Sequence, residues 1–403
     1  MSTAPASPHA SRTSTLAIAG GTPVRPAGKK IPLIAAKLDR ADIDAATAVL
    51  ESGMLRAGAK AAEFERQFAA KTGAKHAATC ANGTCALQLA YLAALGLPAE
   101  GAHDGREVIV PAWTYIATAS MLVACGLTPV FCECDPETYT IDPADAAKRV
   151  TKKTVAIAAT HLYGNPVDVD GVQKLASSLG LKVVYDAAQS HFATWKGAGL
   201  GAFGDAVTYS FYATKNLSTG EGGMVTTNDD RVARSIGLLR SHGETEKYLH
   251  ETVGFNFRMT DVEAAIGLSQ LQRADWFTRV RRENAAKLDA IVAEIDGLHA
   301  PKTTPGGEHA YHLYQIRMDE NAFACTRDEF IRALEGEGVN CGVHYPKPLH
   351  FQPAFRKYPG ATLPVSERLA RELFCVAVHP SLTDGDIADM GEALRKVADA
   401  MRR

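Results

Sequence analysis

The chain has 403 residues, 46% of them hydrophobic, enough for one large α/β domain with a smaller companion or for two or three ordinary domains. Lys and Arg number 43 against 45 Asp and Glu, a formal net charge of −2. That balance excludes a bulk nucleic-acid binder and an acidic disordered polymer, and the absence of about 18 uninterrupted apolar residues leaves no predicted membrane-spanning helix.

The N-terminal stretch is rich in Ser, Thr, Ala and Pro and lacks the apolar core of a signal peptide. Met1 to about Ser14 reads as flexible, and residues 1–30 are expected to form an N-terminal tail. Next, Asp39 to Glu51 places Ile43, Ala46 and Leu50 on one helical face, with Asp39 as N-cap and Gly53 just past the end. Ala61 to Lys71 repeats the pattern through Phe64 and Phe68. Strands are predicted at Glu107–Pro111, Pro129–Cys134, Val155–Thr160, Lys182–Asp186, Ala206–Ser210 and Met224–Thr227, several of them separated by amphipathic stretches. This alternation implies βαβ crossovers and a mostly parallel sheet covered on both faces, with chemistry at the carboxyl ends of its strands. Thr260 to about Ile295 is helical in pattern, broken near Asp275. A strand (His312–Met318), a helix (Arg327–Glu337), a strand (Val339–His344) and two helices (Val365–Phe374, Asp384–Met401) complete the chain. The expected division is a large domain over 31–275 and a small α+β domain over 276–403.

The eight cysteines form no C-x-x-C pair and no zinc-spaced pattern with histidine. They are expected to be buried free thiols in a cytoplasmic protein, and no metal site is predicted.

Three segments put special residues at strand ends. Val183–Asp186 is an apolar run ending in an acid; Asp186 is either a helix N-cap or a carboxylate pointing into a site. Val207 to Asn216 runs from a strand into Lys215 and then a Gly-rich turn; alone, Lys215 would read as a surface lysine. Thr79 to Ala90 is a polar turn opening a helix, where Gly83 admits an anion to free N–H groups and Thr84 offers a hydroxyl; alone, it is equally a capped helix. Together they match what pyridoxal phosphate (PLP) requires: an amine for its aldehyde, a carboxylate for its ring nitrogen, a helix N-terminus for its phosphate and a flat residue over its ring. Lys215, Asp186, Gly83 with Thr84, and Tyr115 would supply these, in the chain order phosphate turn, ring cover, acid, lysine.

From about Pro32 to the C-terminus the chain resembles the DegT/DnrJ/EryC1/StrS aminotransferases, sugar and cyclitol aminotransferases of PLP-dependent fold type I, the aspartate aminotransferase-like fold. Asn82-Gly83-Thr84 resembles the family's phosphate turn, and Val110 to Thr118 its ring-covering segment, with Tyr115 in that role and Trp113 as rival. Asp186 to His191 resembles the segment carrying the pyridinium aspartate and a glutamine near the ring hydroxyl, here Gln189. Ser210 matches the phosphate-binding serine and Lys215 the Schiff-base lysine; relatives that are dehydratases carry histidine there. Gly254 to Met259 resembles the segment that crosses to a partner subunit, which implies that Asn256 reaches the other protomer's phosphate.

The resemblance thus implies an α/β homodimer with shared active sites and no nucleic-acid or membrane partner. It would move an amino group from L-glutamate or L-glutamine to a keto-sugar, with a nucleotide-linked one favoured, by a ping-pong mechanism through Lys215. His161, Tyr163, Arg258, His344, Tyr345 and His350 become candidate substrate contacts, and His191 stays open between a structural role and one behind the ring. Alternatives are a scyllo-inosose-type cyclitol aminotransferase, an aromatizing or dehydrating enzyme acting on an amino-shikimate-type cyclitol, a desulfurase using Cys341, and a non-catalytic regulator of the same fold.

Overall fold

The structure is a computed structural model and describes residues 15–35, 38–358 and 361–403. The part of the predicted tail up to Ser14 lies outside the described residues. Helix α1 (Arg40–Ser52) opens on a capping box between Asp39 and Asp42 and ends at Gly53, whose φ of 67° suits glycine. Its inward face differs from the expected one. Asp42 and Val49 are buried, whereas Ile43 and Leu50 are 47% and 57% exposed. The cause is an ion pair: Arg273 grips the Asp42 carboxylate at 2.7 Å and turns the apolar stripe outward. Helix α2 (Ala59–Thr72) buries Phe64 and Phe68 as its spacing predicts. Its first turn is capped from afar, since Asp261 accepts from the N–H groups of Gly58, Lys60 and Ala61.

The large sheet contains β1 (His76–Cys80), β2 (Glu107–Pro111), β3 (Thr128–Cys132), β4 (Thr154–Thr160) and β5 (Lys182–Asp186). After the short pairs β6 (Thr194–Trp195) and β7 (Ala198–Gly199), it is completed by β8 (Ala206–Ser210) and β9 (Gly223–Thr227). Its order is β1-β9-β8-β5-β4-β2-β3. Pairing is parallel from β3 to β8 and antiparallel on both sides of β9. Because β9 alone is reversed, β1 runs with β8, and its carboxyl end shares the edge where the other strands end. Strand β1 is not among the predicted strands, because His76-Ala77-Ala78-Thr79-Cys80 carries no β-branched residue until Thr79 and no alternation.

Helices α3 (Gly83–Ala94), α4 (Ile116–Ala124) and α7 (Asp230–Arg240) share a core with one face of the sheet. Helices α2, α6 (Val169–Leu179) and α8 (Asp261–Leu271) share the core on the other. The strands divide between these cores residue by residue: Val108 and Val110 face one, Ile109 the other. This is the two-sided burial expected of parallel strands. A short helix, α5 (Pro143–Lys148), follows β3.

Helix α9 (Ala274–Ala293) begins beside the large sheet at Ala274 and ends, through Ala285, Leu288 and Val292, in a separate core. The helical break falls at Gln272–Arg273. Two short pairings lie outside the main sheets, β10 (Glu244–Glu246) with β11 (Leu249–His250) and β13 (Gly307–Glu308) with β6. The second core lies around β12 (Leu298–His299), β14 (Tyr314–Met318) and β15 (Leu373–Val376), with α10 (Arg327–Gly336) and α12 (Asp384–Met401). Here two expectations are corrected. Val339–His344 is not a regular strand; it is wedged between the N-terminal segment and β15 and makes single bridges, Ile31 to Val339 and Gly342 to Cys375. The helix expected over Val365–Phe374 is α11 (Pro364–Glu372), which gives way to β15 at Leu373 because the run Leu373 to Val376 is fully buried against β14. Among the described residues no helix is long and apolar enough to cross a membrane.

The segment read as tail is tied down from residue 15 onward. Ala17 and Val24 donate their N–H groups to Glu337 at 2.8 and 3.1 Å, Arg25 bridges Asp386 and Asp389, and Ile31 enters the second core. Glu337 is fully buried and also receives the Lys396 amine at 2.7 Å. Replacing it with alanine leaves a buried lysine unpaired, a change that costs about 3–5 kcal/mol. Glu337→Ala is therefore expected to lower the urea midpoint and expose Lys29 and Lys30 to trypsin. An unchanged midpoint with this segment still protected would refute the role of Glu337 as its anchor.

Candidate active site

The carboxyl edge of the large sheet opens into a cavity of about 820 Å³. Asp186 ends β5 and is only 4% exposed. Thr118 of α4 donates its hydroxyl to Asp186 Oδ2 at 2.7 Å, and the Ala188 N–H donates to Oδ1 at 3.0 Å. Burial pushes the carboxyl above its ordinary range, while these donors and the charge of Lys215 pull it back. Thr118 belongs to a buried hydroxyl cluster with Thr114 and Thr160, in which Thr114 donates to Thr160 at 2.9 Å. Thr118 is not among the residues predicted for the site; its one signal in the sequence is its place in the segment that follows Tyr115.

Lys215 sits in the loop after β8. The loop is closed by Phe211 N–H to Gly222 O at 2.8 Å, Thr219 N–H to Phe211 O at 2.9 Å and Lys215 N–H to Tyr212 O at 2.9 Å. Asn216 locks it to the opposite wall by donating to Ala310 O at 3.0 Å. Burial lowers the lysine from its ordinary 10.5 to about 8, partly opposed by the Asp186 charge.

The third part comes from β1 and α3. Asn82 caps α3 by accepting from Cys85 N–H at 2.9 Å. Gly83 follows, and a Cβ there would lie 2.6 Å from Ser210 Cβ and 3.0 Å from its hydroxyl. Only glycine lets the helix N-terminus meet Ser210 this closely. Gly83, Thr84 and Ser210 therefore form one cradle at the end of the cavity, at the positive end of a helix dipole.

Tyr115 is 53% exposed and lines the cavity, whereas Trp113 is 1% exposed and lies in a separate core. Gln189 lines the cavity too; its Oε1 accepts from Tyr163 N–H at 2.7 Å and its Nε2 donates to the Tyr345 hydroxyl at 3.1 Å. His344 and Tyr345 are cavity residues, as expected of substrate contacts. His312, Tyr212 and Glu221 also line it, and sequence analysis had assigned them no role.

Four other expected contacts lie elsewhere. His161 is wholly buried, packs its ring 4.9 Å from that of Tyr185, and accepts from Val167 N–H at 3.0 Å; burial takes it down to about 3. Tyr163 is buried as well, and its hydroxyl donates to the carbonyl of His344, so it supports a cavity residue from behind. His350 has a buried side chain set against Glu367 at 3.2 Å. Arg258 is exposed and outside the lining of the cavity. Asn256 is likewise exposed and outside this chain's own cavity, on the segment bridged to Ser241. His191 is buried among Phe192, Tyr209 and Phe211. All eight cysteines are free; burial pushes the Cys341 thiol far up, which leaves it a poor nucleophile.

Comparison with known proteins matches this arrangement to one family. The DegT/DnrJ/EryC1/StrS aminotransferase family matches residues 36–395. GDP-perosamine synthase of Caulobacter vibrioides is 38% identical over 338 residues, 83% of this chain and 89% of that protein. The dTDP-3-amino-3,4,6-trideoxy-alpha-D-glucose transaminase of Streptomyces venezuelae is 37% identical over 367 residues, 90% of this chain and 92% of its own length. The crystal structure of S. venezuelae DesV in complex with a ketimine intermediate superposes with a TM-score of 0.86 at 35% identity, covering 92% of this chain and 99% of that one. With a fold and a sequence that agree along nearly its whole length, the chain belongs to the DegT/DnrJ/EryC1/StrS family and is an aminotransferase.

Proposed function

We propose that the protein is a PLP-dependent sugar aminotransferase, transferring an amino group from L-glutamate or L-glutamine to a keto-sugar, favoured here as nucleotide-linked, in two successive half-reactions. The observation that carries this reading is the convergence of a buried lysine of lowered proton affinity, a buried carboxylate and an anion cradle on one cavity. The nucleotide-linked acceptor is supported by the GDP- and dTDP-sugar names of the relatives.

The residues fit pyridoxal phosphate. Gly83, Thr84 and Ser210 would hold its phosphate, Lys215 its aldehyde, Asp186 its ring nitrogen and Tyr115 its ring face, with Gln189 near the ring hydroxyl. Bound there, the cofactor supplies an electron sink for the carbon that carries the amine. Asp186 keeps its charge next to a cation through the hydroxyl of Thr118 and the N–H of Ala188. Lys215, with its proton affinity lowered by burial, serves as the base that takes and returns a proton at its Nζ. Tyr345, fixed by Gln189, and His344, held from behind by Tyr163, form the wall that orients the acceptor.

A homodimer is part of the same proposal. Asn256 is exposed and outside the lining of this chain's own cavity, and Ile43, Leu50, Met54 and Leu55 leave apolar surface exposed near the start of the chain. A second copy would cover this surface and receive Asn256 at its cradle.

Four outcomes are expected. Purified protein loaded with pyridoxal phosphate should show a visible absorption band that bleaches with L-glutamate or L-glutamine and is missing in Lys215→Ala; a band indifferent to every amino acid would overturn transamination. Capture of the cofactor by the cofactor-free protein should accelerate as pH rises through about 8, where Lys215 loses its proton, rather than near 10.5. Asp186 holds that proton on, so Asp186→Asn should move the midpoint lower; a midpoint that stays or rises contradicts the pairing. Gly83→Ala should weaken cofactor affinity about tenfold or more, equivalent to about 1.4 kcal/mol, in equilibrium titration of a folded variant. Unaltered affinity would remove Gly83 from the cradle.

A further inference from the structure

A second cavity of about 600 Å³ adjoins the first, and Lys215 stands in the wall of both. Arg281 of α9 also lines it. This arginine is 6% exposed. Its Nη1 donates to the carbonyl oxygens of Tyr311 and His312 at 3.0 and 3.3 Å, and its Nε has no partner. Among the described residues no carboxylate pairs with it. Burial alone draws its proton affinity down to about 9.

The surroundings offer it no negative charge. Arg273 lines the same cavity, but Asp39 and Asp42 occupy its guanidinium, and Asp39 is the one carboxylate among the lining residues. His191, His312 and His379 near Arg281 are held neutral, first by burial and then by their cationic neighbours. A buried guanidinium without a counter-ion costs several kcal/mol, and its planar fork matches a carboxylate.

We propose that this second cavity is the subsite for the carboxylate of the amino donor, held by Arg281 while the donor's amine reaches the position of Lys215. This inference rests on the transamination proposed above. The donor must bring an amine to Lys215 and carries a carboxylate one carbon away. The cofactor's phosphate has its own cradle in Gly83, Thr84 and Ser210, all of which line the other cavity, so Arg281 is left free for the anion that the donor brings.

Glutarate, a dicarboxylate without an amine, is the probe. It should bind the wild-type protein in calorimetry and compete with the donor in the bleaching assay. In Arg281→Gln the donor concentration for half-bleaching should rise about tenfold or more and glutarate binding should fall in parallel, both well beyond any change in the acceptor KM, which reports the Tyr311–His312 strap that Arg281 also holds. Arg281→Lys, which keeps the charge but loses the fork, should fall between the two and stands in if the glutamine variant does not fold. Equal donor and glutarate binding in wild type and variants would overturn the proposal, as would a variant that loses competition by a nucleoside diphosphate instead. A wild-type protein that ignores every donor refutes transamination itself, and calorimetry with glutarate still reads the subsite.

Discussion

The site depends on one reversed strand. Parallel strands bring their carboxyl ends to a common edge, but a phosphate cradle built from β1 would fall on the opposite edge if β1 simply paired antiparallel with β8. Inserting β9, antiparallel to both, restores β1 to the direction of β8. The turn after β1 and the last residue of β8 then meet, and the contact is so tight that Gly83 has no room for a side chain. Asp186 at the end of β5 and Thr160 at the end of β4 arrive at the same edge by ordinary parallel pairing.

That edge gathers charge in a place where charge is expensive. Asp186 and Lys215 are each pushed toward neutrality by burial and pulled back by the other. Neither shift is complete, because each retains one partner of opposite sign. The result is an amine that gives up its proton about two orders of magnitude more readily than in water, beside a carboxyl whose own proton affinity burial has raised. The threonine hydroxyls around Asp186 achieve this without a further charge, which would have moved both groups in one direction.

How much of this was legible in the sequence follows from the range of each interaction. Strands such as Glu107–Pro111 and Lys182–Asp186 are marked by their own apolar side chains and lie where the sequence places them. Residues at their ends are tied to them by a few covalent bonds, so Asp186, Lys215, Gly83 and Ser210 reach the cavity as the spacing implies. Direction within a loop is not local information. His161 and Tyr163 follow β4 as closely as Asp186 ends β5, yet their rings turn into the core because Val167, Tyr185 and His344 receive them. The outward rotation of Ile43 and Leu50 depends on Arg273, more than two hundred residues away in sequence. β1 is missed for a different reason: small side chains give a strand no pattern of its own, and its place is set by its pairing with β9.

Helix α9 has a mechanical consequence. It is 20 residues long, about 30 Å, with its first residue sealed in the core of the large sheet and its last turns in the second core. It is thus a shaft keyed at both ends. Arg281, midway along it, fastens the strap that carries Tyr311 and His312. The two walls of the cavity, one bearing Lys215 and the other His312, are consequently held at a spacing set by a rigid rod. A cleft of this kind discriminates among substrates as a gauge does, by what passes a fixed gap, and not as a jaw that adjusts its grip.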